Sequence, residues 1–220
     1  MDNSKKKIAY KIYLVVLLLT FIAGYMCGFA VLAEKYSKMF VYIMLLCIWV
    51  LSMLKVIIEG VKAFRKEYID ESFSVVFIAL ISMLPLILLS SLFGINTVNG
   101  NDIGSMSASK LGLTLFSSLI FAPIVEELIC RGALWKILKD KIIKDENKII
   151  VISGVIFSTL HIIKMNSGVG NVVFYFMVYM VLGTACGYMY KKTDNILCPW
   201  LVHLMWNGFM MVGAVIRMIL

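Results

Sequence analysis

The chain has 220 residues, 61% of them hydrophobic, with a mean hydropathy of +0.94. Soluble domains run nearer half apolar, so this composition excludes an ordinary water-soluble domain and makes the bilayer the natural solvent. The net charge of +8 does not signal nucleic-acid binding, because the lysines fall in short segments between apolar runs, as the positive-inside bias requires.

A membrane-spanning helix needs about 20 mostly apolar residues. Runs near 8–32, 39–58, 73–93, 108–128, 149–164, 172–190 and 197–219 predict an all-α, polytopic transmembrane bundle of about seven spans. Stretches such as Leu14-Val15-Val16-Leu17-Leu18-Leu19 lack the period-two alternation of a barrel strand. The first run follows Lys5, Lys6 and Lys7, as in a signal peptide. No small-residue cleavage site stands out, and the run is long enough to span, so it is expected to stay attached.

A cytoplasmic N-terminus places Lys62, Arg65, Lys66, Lys136, Lys139, Lys141, Lys144, Lys148, Lys191 and Lys192 in inner segments. Only Lys35, Lys38, Lys110, Lys164 and Arg217 then fall outside, so this orientation is expected. The segment 94–110, rich in Gly and Asn, is a polar outer loop. The chain is thus expected to be a multi-pass protein of a bacterial cytoplasmic membrane, with the lipid bilayer as its constant partner. No internal repeat is evident, which weighs against a small transporter.

Residues 1–106 are read as a three-span scaffold whose ionisable Lys11 and Lys55 lie near span ends, where they can snorkel. Residues 107–220 hold nearly all the candidate chemistry and are read as a four-span catalytic core. The five cysteines (Cys27, Cys47, Cys130, Cys186 and Cys198) show no CxxC spacing and read as small apolar helix residues.

The fourth run ends Phe121-Ala-Pro-Ile-Val-Glu-Glu-Leu-Ile-Cys-Arg131. Ionisable groups at membrane depth are costly and usually functional. Glu127 and Arg131, spaced i,i+4, can pair on one helix face. That pairing leaves Glu126, about 100° around the helix, free for chemistry. Pro123 can kink the helix just upstream. His161 and His203 are the only histidines, and His203 and Asn207 share a face at i,i+4. Any one of these residues alone reads equally well as a helix end or interhelical glue. Their conjunction in the last four spans favours a site.

Two chemistries fit. A carboxylate and a histidine can polarise a water that attacks a peptide carbonyl, with the second His and the Asn donating to the oxyanion. Alternatively Glu126, His161 and His203 bind Zn2+ or another divalent metal, assembled across helices because no His-Glu-x-x-His motif is present. The first requires no cofactor and is preferred.

Glu126-Glu127-x-x-x-Arg131, Phe157-x-x-x-His161 and His203-x-x-x-Asn207 resemble the three motifs of the CAAX protease and bacteriocin-processing (Abi) family, in order and in spacing. Thr193–His203, with Pro199, resembles that family's proline-led approach to its last motif. The resemblance covers about residues 108–212. It implies an intramembrane endopeptidase acting on a peptide or membrane-protein substrate. Glu126 and His161 would activate water, His203 and Asn207 would stabilise the oxyanion, and Glu127 and Arg131 would support them. The resemblance also implies a setting in bacteriocin self-immunity or peptide-signal processing. Because Glu126 and Glu127 lie toward the lysine-rich side, a site facing the inner leaflet is expected. The competing expectation is a non-catalytic immunity or scaffold protein in which the same polar residues only hold helices together.

Overall fold

The computed structural model describes residues 38–95, 108–163 and 165–219, and every regular element among them is helical. The first apolar run and most of the 94–110 loop lie outside the described residues. The N-terminal part comprises α1 (Lys38–Ser52), α2 (Leu54–Ala63), α3 (Glu67–Ser82) and α4 (Leu84–Leu92). A long rod follows, made of α5 (Ala108–Leu115), a π-helical segment π1 (Phe116–Phe121), α6 (Ala122–Glu127), a second π-helical segment π2 (Leu128–Leu134) and α7 (Trp135–Lys141). Helices α8 (Glu146–Ile162), α9 (Val169–Thr193) and α10 (Leu197–Ile219) complete the bundle.

Among the described residues, three helical stretches are long and apolar enough to cross a membrane: Glu67–Leu92, Leu111–Asp140 and Val169–Thr193. At about 1.5 Å rise per residue, each exceeds a hydrocarbon core of about 30 Å. The run expected at 39–58 is broken at Met53 (φ −111°, ψ 15°) into α1 and α2. The span expected at 73–93 begins earlier, at Glu67. Hydropathy stops at charged residues, whereas the backbone continues: Glu67 and Asp70 occupy the first turn, where carboxylates favour a helix start.

Local chemistry sets the other ends. Asp145 caps α8 by accepting a hydrogen bond from the Asn147 amide at 2.9 Å. Lys191 and Lys192 fill the last turn of α9, which stops at Asp194 in the left-handed region (φ 47°). Asn195 Oδ1 accepts from the Leu197 amide at 3.0 Å at the start of α10, while its Nδ2 donates to the Gly60 carbonyl at 2.8 Å. One side chain thus ties α2 to the helix that carries His203. Hydroxyls inside the bundle such as Ser72, to Tyr68 O (2.6 Å), and Ser158, to Gly154 O (2.8 Å), bond back onto their own helices, so these hydroxyl protons need no water.

Helices α8 and α9 meet through glycine. A Cβ on Gly183 would lie 3.0 Å from the Gly154 Cα, and one on Gly187 would lie 3.4 Å from the Ile150 Cα. Gly183 and Gly187 form a GxxxG pair, which lets two backbones approach closely. Two apolar clusters then join the N-terminal helices to the later ones. Trp49 and Met53 pack with Val125 and Ile129, and Val76, Ala79 and Met83 pack with Phe157, Leu182 and Cys186. Ion pairs Lys192–Glu71 (3.0 Å) and Lys139–Glu146, with the Lys191–Asn147 hydrogen bond (2.8 Å), gather these lysine-bearing segments at one end of the bundle.

Candidate active site

The site begins with the backbone of the long rod. In π1 the hydrogen bonds run one residue longer than in an α-helix, and the Ala122 amide reaches the Ser117 carbonyl. The next bond in that register would run from residue 123 to the Ser118 carbonyl. Residue 123 is proline and has no N–H to give. The Ser118 carbonyl is instead satisfied by Asn207 Nδ2 from α10, at 2.8 Å. Pro123 therefore creates an acceptor and Asn207 fills it. In doing so Asn207 docks α10 against the helix that presents the two carboxylates.

Those carboxylates have different surroundings. Glu127 is fully buried. Arg131 Nη1 lies 3.0 Å from its Oε1 and 2.8 Å from its Oε2, and His203 Nδ1 lies 3.0 Å from Oε1. Arg131, itself fully buried, donates its other terminal nitrogen to the Gly183 carbonyl at 2.5 Å. The i,i+4 pairing expected from sequence is present, and it extends into a Gly183–Arg131–Glu127–His203 chain linking α9, the rod and α10. On its far side Glu127 borders an apolar cavity of about 220 Å³, lined by residues such as Ile124, Leu128 and Trp200. Such surroundings suit a fixed, neutralised pair.

Glu126 faces the opposite way. It lines a pocket of about 400 Å³ with His161, His203, Asn207, Tyr179 and Ser118. Its Oε2 has no hydrogen-bond partner and lies 3.5 Å from His161 Nε2 and 3.9 Å from His203 Nε2. Those separations are long for direct hydrogen bonds, and the three atoms face one pocket in which a water could bind beside them. The rings are held from behind: His161 Nδ1 meets the Phe157 carbonyl at 2.9 Å, and His203 Nδ1 meets Glu127. Both partners are acceptors, so each Nδ1 carries a proton and each ring turns its Nε2 toward the pocket.

Four of the six residues singled out from sequence (Glu126, His161, His203 and Asn207) line one pocket, and Glu127 and Arg131 lie directly behind it. Three contributors carry no sequence motif: the Ser118 and Gly183 carbonyls, and Tyr179, whose ring lies 4.1 Å from that of His161. Only Gly183 left a legible trace, as half of the GxxxG pair.

Helix α8 runs from Glu146, at the lysine end, to His161 near its far terminus. Thr114, Met210 and Met211 also line the pocket. The pocket therefore lies toward the end of the bundle opposite the lysine-bearing segments.

Metal ligation was tested on the donor atoms. Glu126 Oε2 and the two Nε2 lone pairs are anionic or neutral donors with both Nδ1 atoms braced by acceptors, the usual outer bracing of metal-bound histidine. Bonds of about 2.0–2.1 Å place tetrahedral zinc ligands roughly 3.3 Å apart, close to the two separations of Glu126 Oε2 from the histidines. Among the described residues, the group whose donor atoms all lie within 4.8 Å of one another is Glu127, Cys186 and His203. There the Arg131 guanidinium already neutralises Glu127, which disfavours a cation.

Residues 108–209 match the family model described as type II CAAX prenyl endopeptidase Rce1-like. No curated protein matches the chain, and no solved structure does.

Proposed function

We propose that this protein is an intramembrane endopeptidase using water activated by Glu126 and His161, a reading supported by the match of residues 108–209 to the Rce1-like family model. The observation that carries the reading is the unpartnered Glu126 Oε2 facing the Nε2 atoms of both histidines in one pocket.

The chemistry follows from which atoms hold protons. A water between Glu126 and His161 gives up a proton to one of them as its oxygen bonds the scissile carbonyl carbon. The same proton then passes to the amide nitrogen as the C–N bond breaks. His203 turns Nε2 toward the pocket with Nδ1 anchored on Glu127, and as an imidazolium it would donate to the oxyanion. Asn207 has one amide proton committed to Ser118, and its second is the one left for the oxyanion. Arg131 pairs with Glu127 and so holds His203 in register.

A divalent metal held by Glu126, His161 and His203 would instead supply Lewis-acid polarisation of the water. Chelator sensitivity together with metal analysis of the purified protein distinguishes the two routes. We place the lysine-rich end in the cytoplasm and propose peptides or membrane-protein segments as substrates. Bacteriocin self-immunity or peptide processing is the proposed setting, and it rests on the motif resemblance. The test compares membrane peptides from cells carrying the wild type and Glu126→Gln at equal protein level. Products that vanish in the variant support the reading. Identical peptide profiles would overturn it in favour of a non-catalytic membrane partner.

A further inference from the structure

We infer that Tyr179 of α9 is a positioning residue that holds the His161 imidazole in its reactive orientation, an inference that rests on the peptidase reading. Tyr179 lies outside all three motifs. Its ring centroid is 4.1 Å from that of His161 with planes 30° apart. Phe157, one turn before His161, is 4.4 Å away and tilted 37°. The two aromatic planes are themselves 65° apart, so the imidazole plane roughly bisects the wedge they form.

This wedge supplies what the hydrogen bond alone cannot. The Nδ1–Phe157 carbonyl contact (2.9 Å) fixes one atom of the ring. A histidine χ2 torsion is broad, so a ring held at one atom can still swing its Nε2. Closing the other side with Tyr179 removes that freedom and keeps Nε2 aimed at Glu126 Oε2, 3.5 Å away. Phe157 cannot do this alone. It is buried beneath the ring and also packs edge-on against His203, 5.7 Å away, so it defines the floor shared by both histidines. Tyr179 comes from a different helix and stacks on the His161 ring. The glycine-mediated contact of α8 with α9 sets its distance, because Gly183 stands one turn further along the helix.

The chain has only two histidines, so their ring signals can be assigned by comparing the wild type with His203→Asn. The test measures imidazole 13C and 15N resonances of labelled full-length protein in micelles. It also measures kcat and KM on a quenched-fluorescence peptide chosen because wild type cleaves it and Glu126→Gln does not. Tyr179→Leu is expected to shift the His161 ring signals toward a mixture of tautomers, leave those of His203 in place, and lower kcat by on the order of tenfold to a hundredfold with KM little changed. Tyr179→Phe, which keeps the ring, is expected to restore both. If the Leu variant is not recovered in the membrane, Tyr179→Met refills the volume with a flexible side chain and is read the same way. Unchanged His161 signals and kcat in the non-aromatic variants would overturn the inference while leaving the peptidase reading intact. A rise in KM alone would also overturn it, making Tyr179 a substrate contact. Should Glu126→Gln cleave every peptide that wild type does, the peptidase reading fails, and the His161 resonances still decide the positioning role.

Discussion

Two adjacent glutamates with the same chemistry have opposite roles because the helix turns about 100° between them. Glu127 is fully buried between Arg131 and His203, whereas Glu126 opens on the pocket. The consequences of mutation should differ accordingly. Glu126→Gln keeps the shape and removes the base, so cleavage should fall by about 10²- to 10⁴-fold with little change in thermal unfolding in detergent. Arg131→Met leaves Glu127 as an uncompensated buried charge and should destabilise the protein by about 3–5 kcal/mol. Adding Glu127→Gln to that variant should recover much of the loss, because no charge is then left unpaired. Thermal unfolding of the single and double variants checks this. An equal loss in both would mean that the ion pair is not what Arg131 contributes.

At the level of helices, the backbone irregularities carry the argument. Pro123 orphans the Ser118 carbonyl and Asn207 answers it, so the two residues should be coupled although they stand on different helices. Asn207→Ala should cost about 1–3 kcal/mol in the native background. With Pro123→Ala restoring an N–H, the same change should cost about 1 kcal/mol less. Strict additivity in the double-mutant cycle would refute the coupling. The α8–α9 contact makes a second expectation. Gly183→Ala would place a methyl 3.0 Å from the Gly154 backbone, which cannot move out of the way as a side chain could. Overpacking of this kind costs about 1–3 kcal/mol, and it should also loosen the Arg131–Gly183 bond. Reduced thermal stability with a lowered kcat is the expected result.

Across the whole molecule, the site depends on both parts of the chain. Apolar clusters mix residues such as Met53 and Val76 with Ile129 and Phe157, and Asn195 bonds to Gly60. A fragment beginning near residue 107 should therefore insert but lose activity, and co-expression of the N-terminal part should restore it. Orientation is testable by cysteine labelling in a background with the natural cysteines replaced. Lys191→Cys should react only from the cytoplasmic side and Met211→Cys only from the opposite side. Reaction of both from one side would overturn the proposed orientation.

Composition and hydropathy alone determine that this is a helical membrane protein, because only helices or closed barrels satisfy the backbone in lipid and the runs show no strand alternation. Spacing alone shows that Glu127 and Arg131 can pair and that His203 and Asn207 share a face, since residues four apart are neighbours on a helix. The sequence motifs also singled out Glu126, His161, His203 and Asn207, which line one pocket, with their two supports. Other features needed the tertiary structure. The break at Met53 and the opening of the pocket away from the lysines depend on packing between distant segments. The same holds for the proton positions on both histidines, which follow from the acceptors behind them. Backbone carbonyls such as Ser118 and Gly183 become functional only when a partner helix arrives, and every residue carries a carbonyl, so sequence cannot mark them. Tyr179 is one aromatic among many in an apolar helix, and only its 4.1 Å approach to His161 distinguishes it.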